Sequence, residues 1–292
     1  MKISVIITNW NGRKILQKNL EAIIINSPEA DEIILADDAS KDSSIDFAKD
    51  LQKKYSKLKI ITHKKNQGFG ANSNDAVNKS TGDLVVLLNN DIYPEPGFIS
   101  NSLKHFNDPN VFGVGFAEKG HENWARFFWK NGYLQHEPGI DHIRKTHISG
   151  WVSGGSSIIR KSLFQKLGGF DPIYAPFYSE DLDLGFRAWK SGYTLLWEPT
   201  SIVKHHHEVT MSRFSTNLLN YVKERNRLLN TWRDITDPNL LRQNKFQLIL
   251  RVLSGPNYIK IIRAAKKQMT KFAPPIVFPV LTDQEIFNKF NG

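Results

Sequence analysis

The chain has 292 residues, 39 Lys and Arg against 29 Asp and Glu, a formal charge of +10, 40% hydrophobic residues and no cysteine. That length supports a core without covalent staples, and the lack of cysteine excludes disulfide frameworks, thiolate metal sites and thiol nucleophiles. No run of about 18 apolar residues is present to span a bilayer, and the short apolar stretch Ile3 to Ile7 after Met1-Lys2 is too brief for a signal-peptide core, so the cytoplasm is the expected location.

From the N-terminus, β-branched or Leu-rich runs of strand length fall at 2–8, 32–36, 58–62 and 84–88, each followed by polar residues or Gly. Leu16, Leu20, Ile23 and Ile24 share one helical face, and Ile45, Ala48 and Leu51 share another behind the start signals Ser40 and Asp42. Alternating strands and helices predict right-handed crossovers and a mainly parallel sheet, which binds ligands beyond the carboxyl ends of its strands. The residues at those ends are Thr8-Asn9-Trp10, Asp37-Asp38, His63 to Asn66, and Asn89-Asn90-Asp91. Asp and Asn also make ordinary turns, but the joint placement of these groups suits a nucleotide and a cation.

From Val111 onward glycine and aromatic residues take over: 111–116, then Trp124, Phe127, Phe128, Trp129 and Tyr133, then 151–159 with Gly154-Gly155. A helix is predicted from Ser179 or Glu180, with Leu182, Phe186 and Trp189 on its buried face and Gly192 as its stop. A strand-like run at 194–197 leads to Pro199 and His205-His206-His207. Residues 213–292 are helical in pattern, broken by Pro238, Gly255-Pro256 and Pro274-Pro275.

The charge is uneven along this order. Residues 1–212 carry 25 basic and 24 acidic side chains, and residues 213–292 carry 14 and 5. A neutral body with a basic extension is expected, not a uniformly basic nucleic-acid binder, and no nucleic-acid motif is present. In the extension, Arg251, Lys260, Arg263, Lys266, Lys267 and Lys271 accompany Ile249, Leu250, Leu253, Tyr258, Ile259, Ile261, Ile262 and Phe272. This is the composition of an interfacial helix on anionic lipid, and equally of helices packed on the body with a solvated basic face.

Six segments in order resemble the inverting family 2 glycosyltransferases of polysaccharide and rhamnosyltransferase type. They are Val5-Ile6-Ile7-Thr8-Asn9-Trp10-Asn11-Gly12; Leu35-Ala36-Asp37-Asp38-Ala39-Ser40; Asn66-Gln67-Gly68-Phe69-Gly70-Ala71-Asn72-Ser73-Asn74; Leu87-Leu88-Asn89-Asn90-Asp91; Gly168-Gly169-Phe170-Asp171 with Ser179-Glu180-Asp181-Leu182-Asp183; and Trp197-Glu198-Pro199 to His205. The resemblance covers roughly residues 2–207. It implies the α/β GT-A fold, a Rossmann-like, mainly parallel sheet flanked by helices, with a donor half (1–110), an acceptor half (111–212) and a helical basic extension (213–292). It also implies metal-dependent, inverting transfer of a sugar to a hydroxyl of a glycan in surface polysaccharide biosynthesis.

By the same resemblance, Asp91 and His205 hold Mg2+ or Mn2+, with His206 and His207 as alternatives to His205. The family motif is often Asp-x-Asp, and Asn89-Asn90-Asp91 leaves one carboxylate. Asp181 is the implied base and Glu180 its alternative, although acidic residues also simply stabilise a helix N-terminus; Asp183 is expected to pair with Arg187 at the surface or a hinge. Asp38 is implied to meet the base ring, with Thr8, Asn9 and Trp10 nearby, and a carboxylate there favours a UDP- or dTDP-sugar because uracil and thymine present an N–H. Asn89 and Asn90 join this donor edge, while Asn66 and Asn74 either line it or cap loops.

Trp151, Ser153, Gly154 and Gly155 are expected on the acceptor side, where small residues admit a sugar. Trp124, Phe128 and Trp129 form an acceptor platform or core. Arg225 or Arg227 is a candidate for the diphosphate. The implied partners are the nucleotide sugar, a glycan acceptor that can be lipid-linked, and an anionic membrane surface met by 213–292, placing the protein peripherally on the inner face of the cytoplasmic membrane. Two rivals remain: a sugar-nucleotide nucleotidyltransferase, of whose loop Asn9-Trp10-Asn11-Gly12-Arg13 is a poor copy, and a non-catalytic nucleotide- or glycan-binding module.

Overall fold

A computed structural model describes residues 1–120, 124–139, 144–205 and 214–291. His206, His207 and the expected boundary at 212/213 lie outside the described residues. In residues 1–89, β1 (Ile3–Asn9), α1 (Arg13–Ile25), β2 (Glu32–Asp37), α2 (Ser44–Lys54), β3 (Leu58–Thr62), α3 (Phe69–Lys79) and β4 (Leu84–Asn89) alternate as the apolar pattern predicts. β5 (Ile92–Pro94) and α4 (Ser100–Leu103) follow. Then come β6 (Val111–Glu118), the hairpin β7 (Ala125–Lys130) and β8 (Tyr133–Pro138), β9 (His147–Ile148), β10 (Ser156–Arg160), α5 (Lys161–Lys166), α6 (Glu180–Lys190) and β11 (Thr194–His205). The C-terminal helices are α7 (Thr216–Asp234), α8 (Pro238–Ser254), α9 (Tyr258–Met269) and α10 (Asp283–Asn288).

The main sheet runs β3-β2-β1-β4-β10-β6-β11-β5, with β9 beside β11. β3, β2, β1 and β4 are parallel, and β10 is antiparallel to both β4 and β6. Its strands read as continuous apolar runs because both faces are covered. Ile3, Val5 and Ile7 pack against Leu16, Leu20, Ile23 and Ala48 of α1 and α2, while Ile6 points the other way toward Ala76 and Val77 of α3. The nine residues Asn66 to Asn74 therefore form not one loop but a turn followed by the first half of α3.

Residues 214–291 do not stand apart from this core. Ile235, Leu240, Ile286, Phe287 and Phe290 join one cluster with Phe186 and Trp189 of α6, and fully burying such side chains contributes about 1.5–3 kcal/mol each. Lys190 is buried at the end of α6, and its ammonium is 2.7 Å from Asp283 Oδ1, 2.7 Å from the Asp234 carbonyl and 2.8 Å from Thr236 Oγ1. α9 packs on α7, with Tyr258 and Ala265 buried and Ile261, Ile262 and Phe272 partly buried around Leu228 and Leu229.

Candidate active site

Thr8, Trp10, Asn89 and Asp38 meet at the carboxyl ends of β1, β4 and β2. Thr8 Oγ1 stands 3.5 Å from Asn89 Oδ1, and Trp10 is half-buried beside them in sequence. Asp38 accepts the Gln67 N–H at 2.8 Å and the Gly68 N–H at 2.9 Å, which fixes the turn before α3. Burial lifts its pKa above the ordinary carboxylate value, against the pull of those two bonds. Asn9 and Asn90 are drawn beneath this edge: Asn90 donates to Asn9 Oδ1 (2.7 Å), Asn9 donates to Asp37 Oδ2 (2.8 Å), and Asn19 donates to the Asn90 carbonyl (3.0 Å). These amides lock the three strand ends together.

The two remaining asparagines have loop-holding jobs. Asn66 Oδ1 accepts the Gly68 N–H at 3.0 Å, which is a cap. Both ends of the Asn74 amide are spent on the Phe170 backbone, at 2.8 and 2.9 Å, so Asn74 ties α3 to the acceptor half instead of lining a donor pocket.

The second centre is built by strand register. Asp91 lies in the turn between β4 and β5, and β11 pairs antiparallel with β5 so that His205 sits opposite Ile92. β11 reaches that position through a register shift between Glu198 and Ile202. Glu198 pins the bulge: it accepts from the Thr200 N–H and hydroxyl, Thr146 and His105, which hold its pKa down to about 2 against the cost of burial. His205 Nε2 stands 3.2 Å from Asp91 Oδ1, a buried oxygen that receives no well-directed hydrogen bond among the described residues.

On the other side of the ring, Nδ1 is 3.0 Å from Glu118 Oε2, and Ser156 donates to Glu118 Oε1 at 2.6 Å. Burial disfavours a charged ring, but the two carboxylates outweigh it and push the pKa up to about 10. An unsatisfied carboxylate oxygen facing an imidazole nitrogen whose partner nitrogen is backed by a second carboxylate is a donor set that fits Mg2+ or Mn2+. Among the described residues no cluster of three such side chains occurs; Asp91 and His205 would be the two side chains available to such an ion.

The third centre is the start of α6. Tyr178 (φ +73°) and Ser179 (φ +79°) are both left-handed, a conformation that costs a non-glycine residue about 1–2 kcal/mol, and they aim Glu180 and Asp181. Asn226 of α7, fully buried, holds this turn by donating to the carbonyls of Tyr178 (2.7 Å), Phe177 (3.0 Å) and Tyr174 (3.1 Å), and Arg225 donates to the Ala175 carbonyl (2.6 Å). Glu180 is 9% exposed and its Oε2 has no hydrogen-bond partner among the described residues; burial, then the neighbouring Asp181, raises its pKa. Asp181 accepts the N–H groups of Gly154 and Leu182, and its pKa is also raised, by burial.

Asp183 does pair with Arg187, at 2.8 Å, but the pair is fully buried and not at the surface: Arg187 also donates to the Leu167 and Gly169 carbonyls, and Tyr174 donates to Asp183. Arg225 and Arg227 are likewise committed elsewhere, Arg225 to the turn above and Arg227 to Glu224 (2.8 Å) and the Tyr133 ring.

Gly154 and Gly155 join the centres. The Gly155 carbonyl accepts the Asn89 N–H at 2.9 Å while the Gly154 N–H serves Asp181. A Cβ on Gly155 would lie 2.4 Å from Asn89 Nδ2, and one on Gly154 would lie 3.0–3.1 Å from the Phe69 and Phe170 rings. Protein therefore fills the space that the sequence alone assigns to a sugar. The open cleft lies alongside, lined by Trp124, Trp151, Trp197, Glu118, Ser153 and Ser156. Phe128 and Trp129 are not among its walls; Trp129 donates to Gln243 of α8 instead.

The model of glycosyl transferase family 2 matches residues 4–168, which is more than half of the chain. The chain belongs to this family. This glycosyltransferase is 26% identical over 230 residues to the N-acetylglucosaminyl-diphospho-decaprenol L-rhamnosyltransferase of Mycobacterium tuberculosis, covering 65% of this chain and 71% of that protein. It is 25% identical over 224 residues to the O-antigen chain rhamnosyltransferase RfbN of Salmonella typhimurium, covering 72% and 68%. In structure it is similar to GalNAc-T7 with UDP, GalNAc and Mn2+ (TM-score 0.63, 16% identity), over 85% of this chain but about half, 54%, of that one. It is also similar to the mannosyltransferase PcManGT of Pyrobaculum calidifontis with GDP-Man and Mn2+ (TM-score 0.59, 15% identity), over 92% and 74%. These likenesses establish the GT-A fold.

Two residues of the glycosyltransferase escape the sequence reading. Glu118 closes β6 two residues beyond the apolar run at 111–116, at a strand end where polar groups were the signal elsewhere. Asn226 falls on the buried face of α7 with Val222 and Leu229, and a polar residue at such a position marks a buried network.

Proposed function

We propose that this family 2 enzyme transfers a sugar with inversion from a UDP- or dTDP-sugar to a hydroxyl of a surface glycan carried on lipid, acting at the inner face of the cytoplasmic membrane. The observation that supports it is the Gly154-Gly155 segment, which touches the donor edge through Asn89 and the base centre through Asp181. Asp38 and Thr8 receive the pyrimidine, with a remaining Asp38 lone pair for its ring N–H, and Trp10 borders the ring. Asp91 and His205 would hold Mg2+ or Mn2+ against the diphosphate. A divalent ion there neutralises the charge that develops on the leaving diphosphate.

Asp181 is taken as the base, as the family resemblance implies, because its carboxylate is the one bonded to the Gly154 N–H of the segment that reaches the donor edge, and a base must touch the hydroxyl it deprotonates. Its carboxylate takes the proton, the acceptor oxygen bonds to the anomeric carbon from the face opposite the diphosphate, and the nucleoside diphosphate leaves with the bonding electrons. Glu180, buried and neutral, keeps a second negative charge away from Asp181. Trp151, half-buried in the lining of the cleft, offers an apolar face to an acceptor sugar, with Trp124 and Trp197 buried behind it. The names of the two rhamnosyltransferase relatives favour a deoxyhexose as the moiety transferred.

A panel of nucleotide sugars, scored for Mn2+-dependent turnover, identifies the donor. Asp181→Asn should bind UDP and Mn2+ normally in titration calorimetry while turnover falls by about 10²–10⁴; unchanged turnover removes the base assignment. Asp91→Ala should lose the Mn2+-dependent part of UDP binding. A wild-type chain that binds donor but transfers nothing would favour the non-catalytic module.

A further inference from the structure

The outward face of α8 is apolar. Phe246, Ile249, Leu250 and Leu253 recur at i, i+3, i+4 and i+7 and are between 43% and 74% exposed. Leu240 and Asn244 are buried on the opposite face, and Asn244 accepts from Trp232 (2.9 Å) and donates to the Gly132 carbonyl (2.7 Å). The stripe is therefore surplus to the core, and a contiguous apolar face of this kind marks a contact surface.

The charge around it identifies the contact. From residue 238 to residue 282 the chain has eight Lys or Arg and no Asp or Glu. Arg242 and Lys245 extend the stripe along α8, and Lys260, Arg263 and Lys267 are exposed on α9 beside Ile259. A second copy of this face would bring like charges together, and a nucleic acid would leave the apolar stripe wet. An anionic bilayer meets both demands, taking the apolar side chains among its acyl chains and the cations among its headgroups.

We infer that the α8 stripe Phe246, Ile249, Leu250 and Leu253 inserts into an anionic phospholipid surface, with the cations of α8 and α9 on the headgroups. This deepens, and rests on, the reading of a lipid-carried acceptor. α8 supports the β7–β8 hairpin through Asn244 and through Gln243, which accepts from Trp129. The base of that hairpin, Trp124, Ala125 and Pro138, lines the open cleft. One hairpin thus connects the membrane-facing helix to the acceptor side, where a sugar on a lipid carrier would arrive.

The test uses the full chain with vesicles of phosphatidylcholine, with and without phosphatidylglycerol. Sedimentation should show binding to the anionic vesicles at least about tenfold tighter than to phosphatidylcholine alone, and weakened by salt. Phe246→Ser/Leu253→Ser should lower partition by about tenfold or more while the circular dichroism spectrum, Tm and UDP binding stay unchanged. Lys260→Gln/Lys267→Gln, on a different helix, should lower the salt-sensitive part. Equal partition of parent and both variants, or no preference for phosphatidylglycerol, overturns the inference. So does a concentration-dependent dimer in sedimentation velocity that the serine variant lacks, which would make a second copy the occupant. Vesicle binding needs no nucleotide sugar and donor turnover needs no vesicle, so failure of either leaves the other measurable.

Discussion

The Asp91–His205 pair and the Glu180–Asp181 pair are positioned by opposite means. The first is a product of strand register: Asp91 follows β4, and the bulge in β11 carries His205 to the residue next to it. The second depends on a strained turn that its own neighbourhood cannot hold, because Tyr178 and Ser179 stay left-handed through bonds from Asn226 on a helix far along the chain. Sheet register tolerates surface change, whereas a clasp fails when one distant amide is altered.

Breaking the clasp should have the largest effect. Asn226→Asp has nearly the same shape but replaces the two amide donors with a carboxylate facing three carbonyls. Its other oxygen keeps the Arg225 guanidinium, but buried carbonyls left without their donor cost about 1–3 kcal/mol, so Tm should fall. In the fraction that remains folded, kcat should drop about 10²-fold with the donor KM little changed. A fall in stability with kcat intact would mean that the clasp supports the fold alone.

The register-built pair is sharpened by Glu118→Gln, which keeps the side-chain shape but removes the carboxylate behind His205. Mn2+ affinity in the presence of UDP, followed by electron paramagnetic resonance, should weaken about 10–100-fold. Tm should change little, and Asp181-dependent steps should keep their pH profile. An unaltered Mn2+ affinity would show that His205 is oriented by β11 alone.

The smallest effect concerns the bulge. Glu198 is held at about 2, below the ordinary glutamate value near 4.3, so its folded state binds the proton more weakly than its unfolded state. The stability it adds is complete above the unfolded value and is lost as pH falls toward the folded one. Glu198→Gln should cost about 1–2 kcal/mol at neutral pH, and the gap to the parent should close between about pH 4.5 and 2 in urea titrations. A gap that persists at the acid end would assign the loss to packing.

The donor half was legible because its signals are local. Runs at 2–8, 32–36, 58–62 and 84–88 became β1 to β4 within a residue or two, and the polar residues after them do gather at one edge. Asn74 stayed open between two roles because an amide that mimics backbone looks in sequence like one that binds a ligand; its bonds to Phe170 are of the first kind. Glycines 154 and 155 were read as room for sugar, but only the fold shows that Phe69, Phe170 and Asn89 already occupy that room. Asp183 and Arg187 have the spacing of a surface pair; their burial depends on Tyr174 and on the Gly168-Gly169 turn, which no periodicity encodes. The charge count set residues 213–292 apart by sign, yet could not reveal that Phe287 and Phe290 join one core cluster with Phe186 and Trp189 of α6.

That last packing has a genetic consequence. The face of α6, the helix that carries the proposed base, is finished by residues 283–290, through Lys190 with Asp283 and through Phe186 and Trp189 with Phe287 and Phe290. A screen for mutants that still retain UDP but no longer transfer sugar should therefore collect lesions at positions such as 226, 283 and 287, far downstream of the carboxylate they silence.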